Sequence, residues 1–126
     1  MRKVVVHMQV TLDGRISNDA GFFWEPLPFG DRETSFVNDD IGAQLAEMKR
    51  SAGRDIVLSA GPETLGPLAD RPGLIDQYLL VIHPAVLAAG PRLFDELTRD
   101  LALDLVHAEV FDAGAIIARY SVRDHP

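Results

Sequence analysis

Apolar positions along this chain come in short blocks, and the spacing within each block indicates its element. Residues 3–11, KVVVHMQVT, are apolar at nearly every position and rich in β-branched side chains, which is the pattern of a strand buried on both faces. Asp13-Gly14 then marks a turn. Residues 41–52 place Ile41, Leu45 and Met48 on one helical face. Asn38, Asp39 and Asp40 offer an N-cap and negative charge at that helix's start, Lys49 and Arg50 suit its end, and Gly53 can terminate it in the left-handed region. Residues 55–59 read as a second strand. Residues 62–69 read as a short helix with Pro62 at its first position, ended by Arg71-Pro72-Gly73. Residues 74–83 form a further strand whose centre, YLLVI, is apolar throughout. Ala89-Gly90-Pro91 is a turn, followed by a short Leu93-Phe94 segment.

The last third alternates. Leu101, Leu103 and Leu105 fall on one face of a strand over 101–111, with Ala102, Asp104 and Val106 on the other. Asp112-Ala113-Gly114 makes a hairpin turn, and 115–122 returns with Ile116, Ala118, Tyr120 and Val122 on one face. Strands alternating with helices and then a terminal hairpin predict an α/β domain with a mixed sheet, spanning 1–126 as one unit. Residues 17–38 interrupt the pattern. They hold AGFFWEPLPFG, with Phe22, Phe23, Trp24, Leu27 and Phe29 around two prolines, and a short strand is expected at 34–37. A loop of this length is a functional element or a contact surface.

Composition narrows the function. The 126 residues are 47% hydrophobic and 25% charged, with a net charge of −7, so a broad basic surface for nucleic acid or anionic membrane is not expected. There is no cysteine, which excludes disulfides, thiolate catalysis and cysteine-ligated zinc. The amino-terminal run contains His7 and Gln9 and reads as a strand, not a signal peptide, and no stretch is long enough to span a bilayer; a cytoplasmic location is expected. His7, His83, His107 and His125 lack metal-ligand spacing, so no metal is assigned. No Ser/His/Asp set stands out, and no catalytic residue is designated.

VVVHMQVTLDGRIS (4–17), GRDIVLSAGPETLGPLA (53–69) and LIDQYLLVIHPAVLAAGPRLF (74–94), followed by VFDAGAIIARY, occur in the order seen in one superfamily. Together they resemble the dihydrofolate reductase-like superfamily, and within it the reductase domain of the bifunctional riboflavin-biosynthesis deaminase/reductase with its stand-alone relatives. The resemblance implies a central, mostly parallel sheet, NADPH as cofactor, and reduction of a pteridine- or pyrimidine-type heterocycle. The Gly-Arg-x-Thr-Tyr-like and Ser-Arg-Thr-like segments that line the NADPH phosphates in such proteins are not found here. The chain therefore reads as a shortened dihydrofolate reductase-like domain with its central block deleted.

In that superfamily the strand–glycine–helix at 55–65 lies against the cofactor pyrophosphate, which makes Gly61, Thr64 and Leu65 candidate cofactor-binding residues through their amides. Pro62 removes one N–H there, and Glu63 places a carboxylate where a phosphate would approach. The plainer reading is a connection capped by glycine and proline. Gly90 and Arg92 of the second glycine turn are further cofactor candidates, although Arg92 also suits a solvated surface. Asp13 is a candidate substrate or cofactor contact beside the cleft, or an ordinary Asp-Gly turn residue. Trp24 is a candidate to stack on a planar heterocycle. The aromatic loop equally suits a homodimer contact or a cover for apolar surface left by the missing block. Two functions stay open: an NADPH-dependent reductase, or a non-catalytic homo-oligomeric binding protein on the same scaffold.

Overall fold

The computed structural model describes residues 2–16 and 41–123. Along the chain run β1 (Val4–Thr11), α1 (Ile41–Arg50), β2 (Ile56–Leu58), α2 (Pro62–Ala69), β3 (Gln77–His83), β4 (Leu103–Val110) and β5 (Ile116–Val122). The strands form one sheet in the order β2-β1-β3-β5-β4. β1 is parallel to β2 and β3, β5 is antiparallel to β3, and β4 and β5 form the closing hairpin. This is the mixed α/β sheet with a carboxyl-terminal antiparallel hairpin that the periodicity predicts.

β1 is apolar on both faces because both are covered: Val4, Val6 and Val10 on one face and Val5 on the other are all buried. Val4, Val6 and Val10 share one core with Ile56, Tyr78 and Leu80 of the neighbouring strands, Leu45 of α1, and Leu65, Leu68 and Ala69 of α2. Close approach fixes α2 against the segment before β4. A Cβ on Gly66 would stand 2.6 Å from the Glu96 Cβ, so only glycine fits there. Just beyond, Asp70 accepts hydrogen bonds from the Thr98 amide (2.9 Å) and hydroxyl (2.8 Å), and these hold its carboxyl below the usual range.

A buried cation ties the other helix to the sheet. The Lys49 ammonium at the end of α1 donates to the carbonyls of Gly73 (2.7 Å) and Leu74 (3.2 Å) and to the Asp76 carboxylate (2.7 Å). The same Asp76 oxygen accepts the Val4 amide at 2.8 Å. One side chain thus joins α1 to the starts of β1 and β3.

The structure shortens several expected elements. The helix expected to 52 ends at Arg50, and Gly53 takes its positive φ of 149° three residues later. The strand expected over 55–59 is only Ile56–Leu58, because β1 is its one ladder partner among the described strands and the chain then turns into α2. Residues 74–76 do not begin β3, because Lys49 holds the Gly73 and Leu74 carbonyls in the turn before it. The hairpin strands are shorter by one or two residues at their ends. The alternation expected along β4 also breaks: a register shift between Leu105 and His107 leaves Val106 as a bulge. Trp24 with its aromatic neighbours, the strand expected at 34–37, the N-cap at 38–40 and His125 lie outside the described residues.

Candidate functional site

The carboxyl ends of the parallel strands are staggered. β2 leaves the sheet at Leu58, which pairs with Val6. β1 and β3 continue side by side to Thr11 and His83. Five residues of β1 therefore run past the end of β2, about 16 Å at the rise of a strand. Over that length β1 has a ladder partner on the β3 side alone, among the described strands. The Ser59 hydroxyl, the first residue off β2, donates to the His7 carbonyl at 3.2 Å and holds the departing chain to β1. In open α/β sheets such carboxyl ends are where ligands bind.

At the near end of this margin lies the turn into α2. Gly61 caps the helix with extended backbone (φ −73°, ψ 174°) and makes no side-chain cap. Nothing lies within 4 Å of where a Gly61 Cβ would be, so its backbone faces open space. The first turn gives the Glu63 and Thr64 amides no acceptor within the helix. Leu65 differs from expectation. Its amide donates to the Gly61 carbonyl at 2.8 Å and its side chain is fully buried, so it offers a ligand nothing. Glu63 is exposed in the same first turn, with its negative charge at the mouth of the anion-favouring helix end.

At the far end, Asp13 is the hub of a network. One carboxylate oxygen accepts the Thr11 hydroxyl at 2.5 Å and the Leu87 amide at 3.2 Å, and the other accepts Arg15 Nε at 2.9 Å. The Thr11 hydroxyl foremost, with the Leu87 amide and Arg15, lowers the Asp13 carboxyl to about 2 against an opposing push from burial. Arg15 also donates to the Gly90 carbonyl, and Arg15 and Arg92 face each other in an antiparallel bridge flanked by Ile16 N–Pro91 O (3.0 Å) and Leu93 N–Gly14 O (2.9 Å). Positive φ at Gly14 (81°) and Gly90 (110°) lets both loops make these turns. The described contacts of Asp13 are those of a brace that locks the end of β1 to the loop over 84–92. Arg92 is exposed, and its amide donates to Asp95 at 3.1 Å.

The candidates thus form two groups. Asp13, Gly90 and Arg92 come together beyond β1 and β3. Gly61 and Thr64 lie at the end of β2, one strand margin away. Trp24 lies outside the described residues. The sequence reading passed over Thr11, Arg15 and Gln9. Thr11 and Arg15 flank Asp13 at two-residue spacing, the range over which an Asp-Gly turn makes local side-chain bonds, and that signal was available. Gln9 holds His83 Nε2 at 2.7 Å on one sheet face, and burial pushes the His83 imidazole pKa down. Among the described residues no group of three or more His, Asp or Glu stands close enough to hold a metal ion, and no helix is long and apolar enough to cross a membrane.

The RibD C-terminal domain family matches residues 31–117. The chain belongs to the RibD C-terminal domain family. Two uncharacterized proteins of Bacillus subtilis (strain 168) are similar: YyaP is 31% identical over 68% of this chain, and YwjB 29% identical over 71%. The matched regions cover 45% and 51% of those proteins, so the chain spans about half the length of the curated relatives it matches. Among solved structures, a diaminohydroxyphosphoribosylaminopyrimidine deaminase/reductase of Thermotoga maritima superposes with a TM-score of 0.68 at 11% identity, over 97% of this chain and 57% of that one. Enterococcus faecalis dihydrofolate reductase, solved with NADP(H), gives 0.64 at 13% identity over 97% of each chain. The Saccharomyces cerevisiae riboflavin biosynthesis reductase Rib7 gives 0.63 at 12% identity, over 98% of this chain and 89% of that one. At these identities the likeness is one of fold, and the fold of this RibD C-terminal domain family member is dihydrofolate reductase-like.

Proposed function

We propose that this family member is an NADPH-dependent reductase of a planar pteridine- or pyrimidine-type heterocycle, with the dinucleotide lying along the margin of β1 that runs past the end of β2. The observation that carries the reading is the stagger of the parallel strands. It leaves a margin of β1 about 16 Å long between an open glycine turn and a braced one. The residues present fit the group in a defined way. Gly61 presents unobstructed backbone, and the amides of Glu63 and Thr64 point out of the helix end, where a phosphate is favoured. When bound, NADPH supplies the hydride, and the protein's task is to hold and orient it. The Thr11–Asp13–Arg15–Leu87 network keeps the far end of the margin in one shape, so that a ring placed there meets a fixed surface.

A second reading is supported by two specific observations. Glu63 opposes a phosphate at the helix end, and Asp13 already has three internal partners. Under that reading the chain is a non-catalytic, homo-oligomeric binding protein on the same scaffold. Titration with NADPH, followed by nicotinamide fluorescence and by calorimetry, separates the two. Saturation in the micromolar range supports the reductase, and no response at millimolar cofactor supports the alternative.

A further inference from the structure

Gln9 is the middle residue of the stretch by which β1 runs past the end of β2. The register puts its side chain on the sheet face that also carries His7 and Thr11 of β1 and Val81 and His83 of β3. Both helices pack on the other face, where Leu45 of α1 and Leu65 and Leu68 of α2 share a core with Val4, Val6 and Val10. On the Gln9 face His7, Thr11 and Val81 are buried, but Gln9 and His83 are only half-buried. Accessible surface on this part of the face therefore falls at a polar pair, midway along the margin. The pair presents an amide in one orientation. His83 Nε2 lies 2.7 Å from Gln9 Oε1, where its N–H donates to the amide oxygen. That bond fixes which end of the carboxamide is oxygen and which is nitrogen. The oxygen keeps a second lone pair, and the Gln9 Nε2 hydrogens have no acceptor among the described residues.

Resting on the reductase reading above, we propose that Gln9 is the specificity-determining residue for the heterocycle, and that it binds a lactam edge, a ring N–H beside a C=O, with His83 as the positioning residue that orients its amide. A carboxamide held this way offers a donor and an acceptor side by side. That is the complement of a lactam edge, by the same matching through which Asn and Gln grip the edge of a base. Gln9 Oε1 accepts from the ring N–H, and Gln9 Nε2 donates to the neighbouring carbonyl. A ring without that N–H leaves the amide oxygen short of a partner in a half-buried place and is rejected for that reason. Two residues on, the Thr11–Asp13 contact sets the end of the same margin.

Lumazine, a pteridine with such edges, and its doubly N-methylated derivative, which keeps both carbonyls but has no ring N–H, are the probes. Binding is read by their own fluorescence. The unaltered protein should bind lumazine about tenfold or more tightly than the methylated ring. Gln9→Met, similar in length but with neither amide donor nor amide acceptor, should bring that ratio near unity while the far-ultraviolet spectrum stays that of the folded chain. His83→Leu should lower the ratio, and His83→Gln, whose amide donates to the same oxygen, should restore it. This second pair reads the same preference if Gln9→Met does not fold. A ratio near unity in the unaltered protein, or one that Gln9→Met and His83→Leu leave unchanged, would overturn the proposal, and so would no binding of lumazine at millimolar concentration. NADPH titrated into the same samples keeps the two readings apart. A lumazine preference that Gln9→Met abolishes, with no NADPH response, upholds Gln9 and refutes the cofactor. NADPH saturation with a preference indifferent to both substitutions does the reverse.

Discussion

Replacing Lys49 with Met tests how the sheet is held to α1. The Lys49 side chain is 8% exposed and its ammonium has three acceptors, while its partner Asp76 is 33% exposed. Met keeps the aliphatic stem but leaves two turn carbonyls and a carboxylate without their donor. Removing one partner of a buried pair costs about 3–5 kcal/mol. Water can reach Asp76, which still accepts the Val4 amide, so the expected loss here is about 2–3 kcal/mol. With a urea m-value of roughly 2 kcal/mol/M, the midpoint of denaturation should fall by about 1–1.5 M at unchanged slope. The double variant with Asp76→Asn should lose less than the two single losses combined, because the neutral partner no longer strands a charge. A Lys49→Met midpoint within about 0.2 M of the parent would refute the claim that this contact anchors β1 and β3 to α1.

Three further outcomes follow from named contacts. Gly66→Ala should destabilise the fold by about 1–2 kcal/mol in thermal melts, because the new Cβ meets Glu96 and outweighs the gain in helix propensity. Asp13 has a folded pKa of about 2 against an ordinary 3.8, so its share of stability is present above 3.8 and is lost as pH falls towards 2. Asp13→Asn should therefore flatten the acid limb of the stability profile in that window, and an unchanged limb would show that the network contributes nothing. Glu63→Gln removes an exposed negative charge from the α2 end and should tighten NADPH binding by about threefold; weaker or equal binding in the same titration would mean that the turn does not face phosphate.

Much of this architecture is legible in the residues. The β-branched run at the start of the chain is apolar on both faces because both faces of β1 are buried, Val4 and Val6 on one and Val5 on the other, and Pro62 opens α2 where its ring suits the first helical turn. What the sequence hides is long-range. Nothing local says that Lys49 captures the carbonyls of Gly73 and Leu74, so the start of β3 reads too early. Nor does anything local say that Arg15 reaches the Gly90 carbonyl, 75 residues away. The bulge at Val106 is invisible because the alternation of 101–106 looks regular until the partner strand is known. Leu65 is a different case. Once Gly61 is taken as the cap, the four-residue helical bond already uses the Leu65 amide, and the sequence alone could have removed it from the ligand set.

The most direct test of the central claim is NADPH binding to the unaltered protein, read by nicotinamide fluorescence with calorimetry as a second signal. A dinucleotide site along β1 predicts a saturable response in the micromolar range that Gly61→Val, which fills the open backbone at the helix cap, weakens at least tenfold. No response at millimolar NADPH, or saturation indifferent to Gly61→Val, would contradict it.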